Sequence, residues 1–172
     1  MTLRRSTRYF DGREICQKTV QRLEESALGR MERLFGPLYL RNFSYIRFRK
    51  TDKGTYSAEK IFTFLASWRI TDLGSIPHAK VRALFTQTEL ADASLLLIVP
   101  IDDADDPYDI KLHYRSAGVF LSSAWVEAQK LGLSGTMCGN LVLGGIPQLA
   151  RFIGAIALCL SGSIISTDGD DA

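Results

Sequence analysis

The stretch Leu112 to Asn140, LHYRSAGVFLSSAWVEAQKLGLSGTMCGN, constrains the fold of this chain more than any other. Ala117, Phe120, Leu121, Ala124, Trp125, Ala128 and Leu131 recur at steps of three and four, the spacing of a helix. The other faces are small or apolar rather than charged, with Gly118, Val119, Ser122, Ser123 and Val126 filling them. A helix with no broad polar face is a buried one, and its small residues let a neighbouring backbone come close. Gly132 supplies the residue best able to end it with positive φ. Gly135 and Gly139 come next, among small and β-branched residues, which predicts a strand after the helix.

At 172 residues the chain is long enough for one domain with a real core, read as residues 1–172 with an acidic, flexible end at 167–172. Hydrophobic residues make up 46% and charged ones 23%, which excludes a disordered chain. The net charge of +2 is unevenly spread: the first fifty residues carry twelve Lys or Arg against five Asp or Glu, whereas Arg151 is the sole positive side chain from Leu131 onward. That asymmetry favours an anionic ligand near the start. Cys16, Cys138 and Cys159 form no CxxC, so neither a zinc site nor a disulfide framework is indicated. Thr2 to Asp11 has no apolar secretory core. The apolar tail Leu141 to Ile165 is broken by Pro147, Gln148 and Arg151, and the uninterrupted run after Arg151 is too short to cross a bilayer. The expected setting is reduced and cytoplasmic.

The chain opens on Arg4-Arg5-Ser6-Thr7-Arg8-Tyr9-Phe10-Asp11. On an extended backbone Arg4, Ser6 and Arg8 share one side, and the guanidinium fork suits phosphate oxygens. These residues alone leave open a solvated basic terminus or a nucleic-acid arm. A helix is predicted from about Gln17 to Phe35, with Val20, Leu23, Ala27, Met31 and Leu34 as its apolar stripe, ended by Gly36-Pro37. Within Tyr39 to Lys50 the residues alternate from Phe43 on, as in a strand with one face toward solvent, and Asp52-Lys53-Gly54 marks a turn. Tyr56 to Trp68 is rich in aromatics and fits a helix or a strand, with helix favoured. Ser75-Ile76-Pro77 opens another helix. Leu95 to Ile101, LLLIVPI, fits a strand buried on both faces.

Asp102, Asp103, Asp105, Asp106 and Asp109 lie after that strand. They lack the glycine and closing glutamate of a calcium loop and are read as a solvated acidic loop rather than a magnesium site. His78 and His113 have no serine or cysteine partner at a recognisable spacing, so no metal ligand and no catalytic residue is named. Ile146 to Phe152 is read as a short helix, and Ala155 to Ser161 as a second buried strand. The glycines at 132, 135 and 139 do not have Rossmann spacing.

The order of these parts resembles the FMN-dependent nitroreductase family. Its opening motif has the shape R-x-S-x-R/K-x-F, matched by Arg4, Ser6, Arg8 and Phe10; its later signature A-x-x-L-G-L-G/S is matched by Ala128, Leu131, Gly132, Leu133 and Ser134. The resemblance implies an α+β fold with an antiparallel or mixed sheet flanked by helices, and an intertwined homodimer with the helix from Ser116 to Leu131 at its centre. It also implies FMN at the dimer interface. Arg4, Arg5, Ser6 and Arg8 would hold its phosphate and ribityl chain, and Gly135, Cys138 and Gly139 would lie at the isoalloxazine edge. The implied activity is that of a flavoprotein oxidoreductase, moving hydride through flavin from NAD(P)H or a small organic substrate to an acceptor. Two other readings stand beside it: a nitroreductase-like partner subunit without catalysis, and a nucleic-acid-associated protein using the basic first fifty residues.

Overall fold

Leu95–Ile101 is buried along its whole length, and the fold is arranged to cover both of its faces. A computed structural model describes residues 7, 9–40, 43–64, 67–103 and 106–162. In chain order the elements are α1 (Gln17–Phe35), a helical turn α2 (Pro37–Leu40), β1 (Ser44–Lys50), β2 (Thr55–Phe64), β3 (Ser67–Pro77), α3 (His78–Arg82), β4 (Leu95–Ile101), α4 (Pro107–Lys130), β5 (Ser134–Cys138) and β6 (Gly154–Ser161). The strands form one six-stranded sheet in the order β3-β2-β1-β4-β6-β5. Every neighbouring pair is antiparallel.

Side chains alternate across a strand, so β4 divides its residues between two cores. Leu95, Leu97, Val99 and Ile101 face α1 and α4, where Leu23, Met31, Phe120 and Leu121 meet them. Leu96 and Ile98 face the other layer, built from α3 and the segment 146–152 through Val81, Leu84, Ile146 and Leu149. The α4 stripe is buried as its period requires: Ala117, Phe120, Leu121, Ala124 and Ala128 have no exposed surface. Gly132 ends the helix at φ 73°. Its start lies earlier than periodicity indicates. Asp106 caps it by accepting from the Tyr108 N–H at 2.8 Å, with proline at the first turn.

Several expectations are corrected. Residues 56–64 are strand, not helix: β2 is held on both sides, by β1 and β3, and its alternation places Tyr56 and Ala58 in one core and Ile61 in the other. Ser75–Pro77 ends β3, with Ile76 facing the core and Pro77 paired with Thr55, and the helix expected to open there follows at once as α3, with Pro77 at its N-cap. Ile146–Phe152 buries the three residues its spacing selects, Ile146, Leu149 and Phe152. It does so in successive turns, Leu149 N–H to Ile146 O and Phe152 N–H to Leu149 O, rather than in a helix. The strand expected to alternate from Phe43 begins at Ser44, and it is buried on both faces rather than one, because α1 covers Tyr45 and Arg47 while the other core takes Ile46 and Phe48. Leu34, expected in the core stripe of α1, is 60% exposed.

α1 is fastened to the sheet by charge as well as by apolar contact. Arg47, on the helix-facing side of β1, is 3% exposed and donates to the fully buried Glu24 carboxylate at 2.7 Å. It also donates through Nε to Glu59 of β2 at 2.9 Å. Burial pushes the Glu24 carboxyl up, while Arg47 pulls it back. Burial likewise opposes the Arg47 charge, and Glu24 and Glu59 outweigh it. The Tyr45 hydroxyl beside them is driven far above the ordinary phenol range, by burial first and the Glu24 charge second. Removing one partner of such a cluster leaves an uncompensated buried charge, so Arg47→Met is expected to cost about 3–5 kcal/mol. Glu59→Gln, at a carboxylate 27% exposed, should cost clearly less. Urea unfolding of the two variants checks this order.

Candidate functional site

The basic N-terminal segment reaches the sheet at β5. Thr7, the residue between Ser6 and Arg8, donates its N–H to the Gly135 carbonyl at 3.1 Å. β5 is the outermost strand on this side, so that carbonyl points away from β6. Polar groups of alternate residues point the same way along an antiparallel strand; the Met137 N–H is therefore also directed outward. The segment then crosses the end of the sheet. Phe10 packs against the core on the α3 side, and Asp11 turns the chain by pairing with the Arg13 guanidinium at 2.8 Å and accepting from its N–H. The Arg13 carbonyl takes the Gly162 N–H at 3.0 Å, just past β6.

Two glycines fix this path. Gly12 sits at φ +72°, and a Cβ there would meet the Asp92 carbonyl at 3.3 Å. At Gly162 a Cβ would meet the Glu14 carbonyl at 2.8 Å. Sequence reasoning missed both, along with Arg13; the Asp11-Gly12 turn pair was the available signal.

Of the expected site residues, the structure places Gly135 and Cys138 on β5 and Gly139 just beyond it. Arg4, Arg5, Ser6 and Arg8 lie outside the described residues. The three placed residues differ in kind. Gly135 is a packing glycine: a Cβ would stand 2.7 Å from Leu160 Cδ2 and 3.1 Å from the Trp125 indole nitrogen. Gly139 faces open space, with no atom within 4 Å of a built Cβ. The Cys138 side chain packs inward against the α3-side core, its thiol donates to the Asn140 carbonyl, and burial pushes that thiol up. The groups that β5 can offer a ligand are thus backbone N–H groups and the surface beside Gly139.

No protein-family model matches this sequence, and no curated protein is similar to it. Solved structures are. A protein from Anabaena variabilis assigned as a nitroreductase superposes with a TM-score of 0.67 at 17% identity, over 93% of this chain and 36% of that one. One chain of the E. coli microcin synthetase McbBCD complex, with truncated pro-MccB17 bound, gives 0.64 at 10% identity, over 90% of this chain and 66% of that one. The FMN complex of a Desulfovibrio desulfuricans protein assigned as a nitroreductase gives 0.58 at 14% identity, over 94% and 82%. This chain has a nitroreductase-like fold. It spans about a third of the Anabaena protein and about two thirds of the microcin synthetase chain.

Among the described residues no group of three or more His, Cys, Asp or Glu is arranged to hold a metal ion, and no helix is long and apolar enough to cross a membrane. A cavity of about 540 Å³ opens at the opposite end of the sheet, lined in part by Lys60, Phe62, Asp102, His113 and Arg151.

The two glycines predict different outcomes. Gly135→Ala drives a methyl into Leu160 and Trp125 and should destabilise by roughly 1–3 kcal/mol, as overpacking does. Gly139→Ala should stay within about 0.5 kcal/mol of the parent, as an open surface site does. Thermal unfolding followed by tryptophan fluorescence measures both. The three thiols also separate. Cys16 is exposed, with the Thr19 hydroxyl 3.1 Å away lowering its pKa, whereas burial holds Cys138 up and Cys159 well above the ordinary range. Thiolate is the reactive form, so at pH 7 a maleimide should label Cys16 first, as read by peptide mass spectrometry.

Proposed function

We propose that this chain is an FMN-dependent oxidoreductase of the nitroreductase type, taking hydride from NAD(P)H or an organic substrate and passing it to an acceptor. The observation that carries the reading is the hydrogen bond from Thr7 to Gly135, which ties the basic run to β5 within a nitroreductase-like fold. The FMN complex of the Desulfovibrio protein supports the choice of cofactor. The residues present fit such a group: Gly139 leaves room for a flat ring, and the outward Met137 N–H is free of the β6 ladder.

FMN, when bound, supplies the hydride chemistry. The chain supplies position and electrostatics. Arg4, Arg5, Ser6 and Arg8 would bind the phosphate and ribityl oxygens through charge-assisted hydrogen bonds. The backbone from Gly135 to Gly139 would face the ring, where an N–H steadies negative charge on the reduced form. The inward Cys138 thiol takes no part beyond packing.

The same reading includes a homodimer built on α4. Most of that helix is already covered within one chain. What it leaves open is a stripe at steps of four, Tyr114, Gly118, Ser122 and Val126, beside the exposed Leu34 of α1. Ala124 faces the chain's own core and is fully buried, so a charge at Ala124 would disrupt folding before it disrupted assembly. Ser122→Arg is the appropriate probe. Light scattering at micromolar concentration should show a dimer for the parent and a folded monomer for the variant; a monomeric parent would overturn the dimer.

Fluorescence titration tests the flavin. A charge-assisted hydrogen bond is worth roughly 1.5–3 kcal/mol, so Arg8→Ala should weaken FMN binding by about one to two decades while thermal stability holds. Riboflavin, which has no phosphate, should bind the parent poorly and change little in the variant. Equal FMN affinity in parent and variant would remove the phosphate clamp. No FMN binding by the parent would favour a non-catalytic partner subunit.

A further inference from the structure

The cavity at the other end of the sheet lies apart from the flavin site proposed at β5, and its wall carries two like charges held together. Lys60 of β2 lies with Nζ 4.4 Å from the centre of the Phe62 ring and 5.8 Å from that of Phe152. Arg151 lies with Cζ 4.9 Å from the same Phe152 ring. Phe152 is itself 7% exposed and fixed in the core, so the two cations share one rigid aromatic ring. Among the described residues neither makes a salt bridge. Asp102 is near enough to favour the Lys60 charge, but burial and Arg151 both oppose it. Asp109, the other carboxylate of the lining, lies in the first turn of α4, where the helix N-terminus offsets its charge.

The rest of the lining is of another character. Phe43, Val99, Ile101 and Leu112 give it an apolar floor, and Ser44, Ser116 and His113 give it polar points. Its volume of about 540 Å³ is that of a small-molecule site, commonly about 300–1,000 Å³. Two adjacent cations, neither of them salt-bridged, repel each other. An anion placed between them removes the repulsion, and the guanidinium fork can grip two oxygens of one carboxylate while the ammonium adds a point charge.

We infer that this cavity is a binding site for a small organic carboxylate, whose anionic group sits between Lys60 and Arg151 and whose apolar body lies over Phe43, Val99, Ile101 and Leu112. The site is separate from the β5 edge. It is built from the beginning of β1, the end of β2, the end of β4 and the start of α4, whereas the Thr7–Gly135 contact lies where β5 begins and β6 ends.

Phenylacetate and hexanoate serve as probes, with phenylacetamide and hexanamide as neutral controls, in ligand-observed NMR and calorimetric titrations of the full chain. The carboxylates should bind and the amides should bind at least about tenfold more weakly, since each lost charge-assisted bond is worth about a decade or more. Arg151→Gln, at an exposed side chain, and Lys60→Gln should each lower carboxylate affinity by about tenfold and leave amide affinity unchanged. Circular dichroism confirms that both variants fold. FMN titration of the same variants should match the parent. The inference is overturned if the carboxylates fail to bind at about 10 mM, or if amides bind equally well. It is also overturned if FMN affinity falls in step with carboxylate affinity, which would make the cavity part of the flavin site. Failure of FMN to bind at all would sink the cofactor reading and leave the carboxylate result standing on its own.

Discussion

A strand with no solvent face needs cover on both sides, and β4 is such a strand. Seven consecutive buried residues between two strand neighbours demand a layer above and a layer below. One layer is made by long helices. α1 and α4 present apolar stripes at a 3.6-residue period and sit there chiefly by those stripes. The second layer is assembled from short pieces, α3, a 3₁₀ turn at Thr88–Asp92 and the turns of 146–152. Each buries a few side chains without a helix-length stripe. The burial of Arg47 has its origin in the same geometry. On β1 it lies beneath α1, and only Glu24 from above and Glu59 from the next strand make its charge tolerable there.

This division explains what could be read in the sequence. The ends of α1, the existence of α4 and the two neighbouring strands β4 and β6 were legible because each repeats its pattern over several turns or is largely apolar. β2 was not. Its aromatics, Tyr56, Phe62 and Phe64, belong equally to a helical or an extended count, and the choice is made by the two strands that flank it. Ile146, Leu149 and Phe152 gave a correct burial pattern and a wrong element, because a step of three serves a chain of turns as well as a helix. The start of α4 was hidden among aspartates that looked uniform; one of them, Asp106, is a cap.

The flavin site proposed at β5 rests on a family resemblance, beside which stands the Thr7–Gly135 bond. The packing reason for one of its glycines was not legible. Gly135 admits no side chain because Trp125 and Leu160 occupy the space, a contact between elements that no linear pattern records. Gly139, by contrast, has open space around it. The sharing of Phe152 by Lys60 and Arg151 was likewise invisible, since these residues stand far apart in the chain and meet only after the sheet is formed.

The placement of the N-terminal segment has a consequence for the sheet itself. The outermost strand of an antiparallel sheet presents unpaired backbone groups on which any extended chain can add, another copy included. Thr7 occupies the Gly135 carbonyl, so that acceptor is closed to an added strand. The bond that sets the path of the chain into α1 thus also removes one edge group on which a second copy could pair.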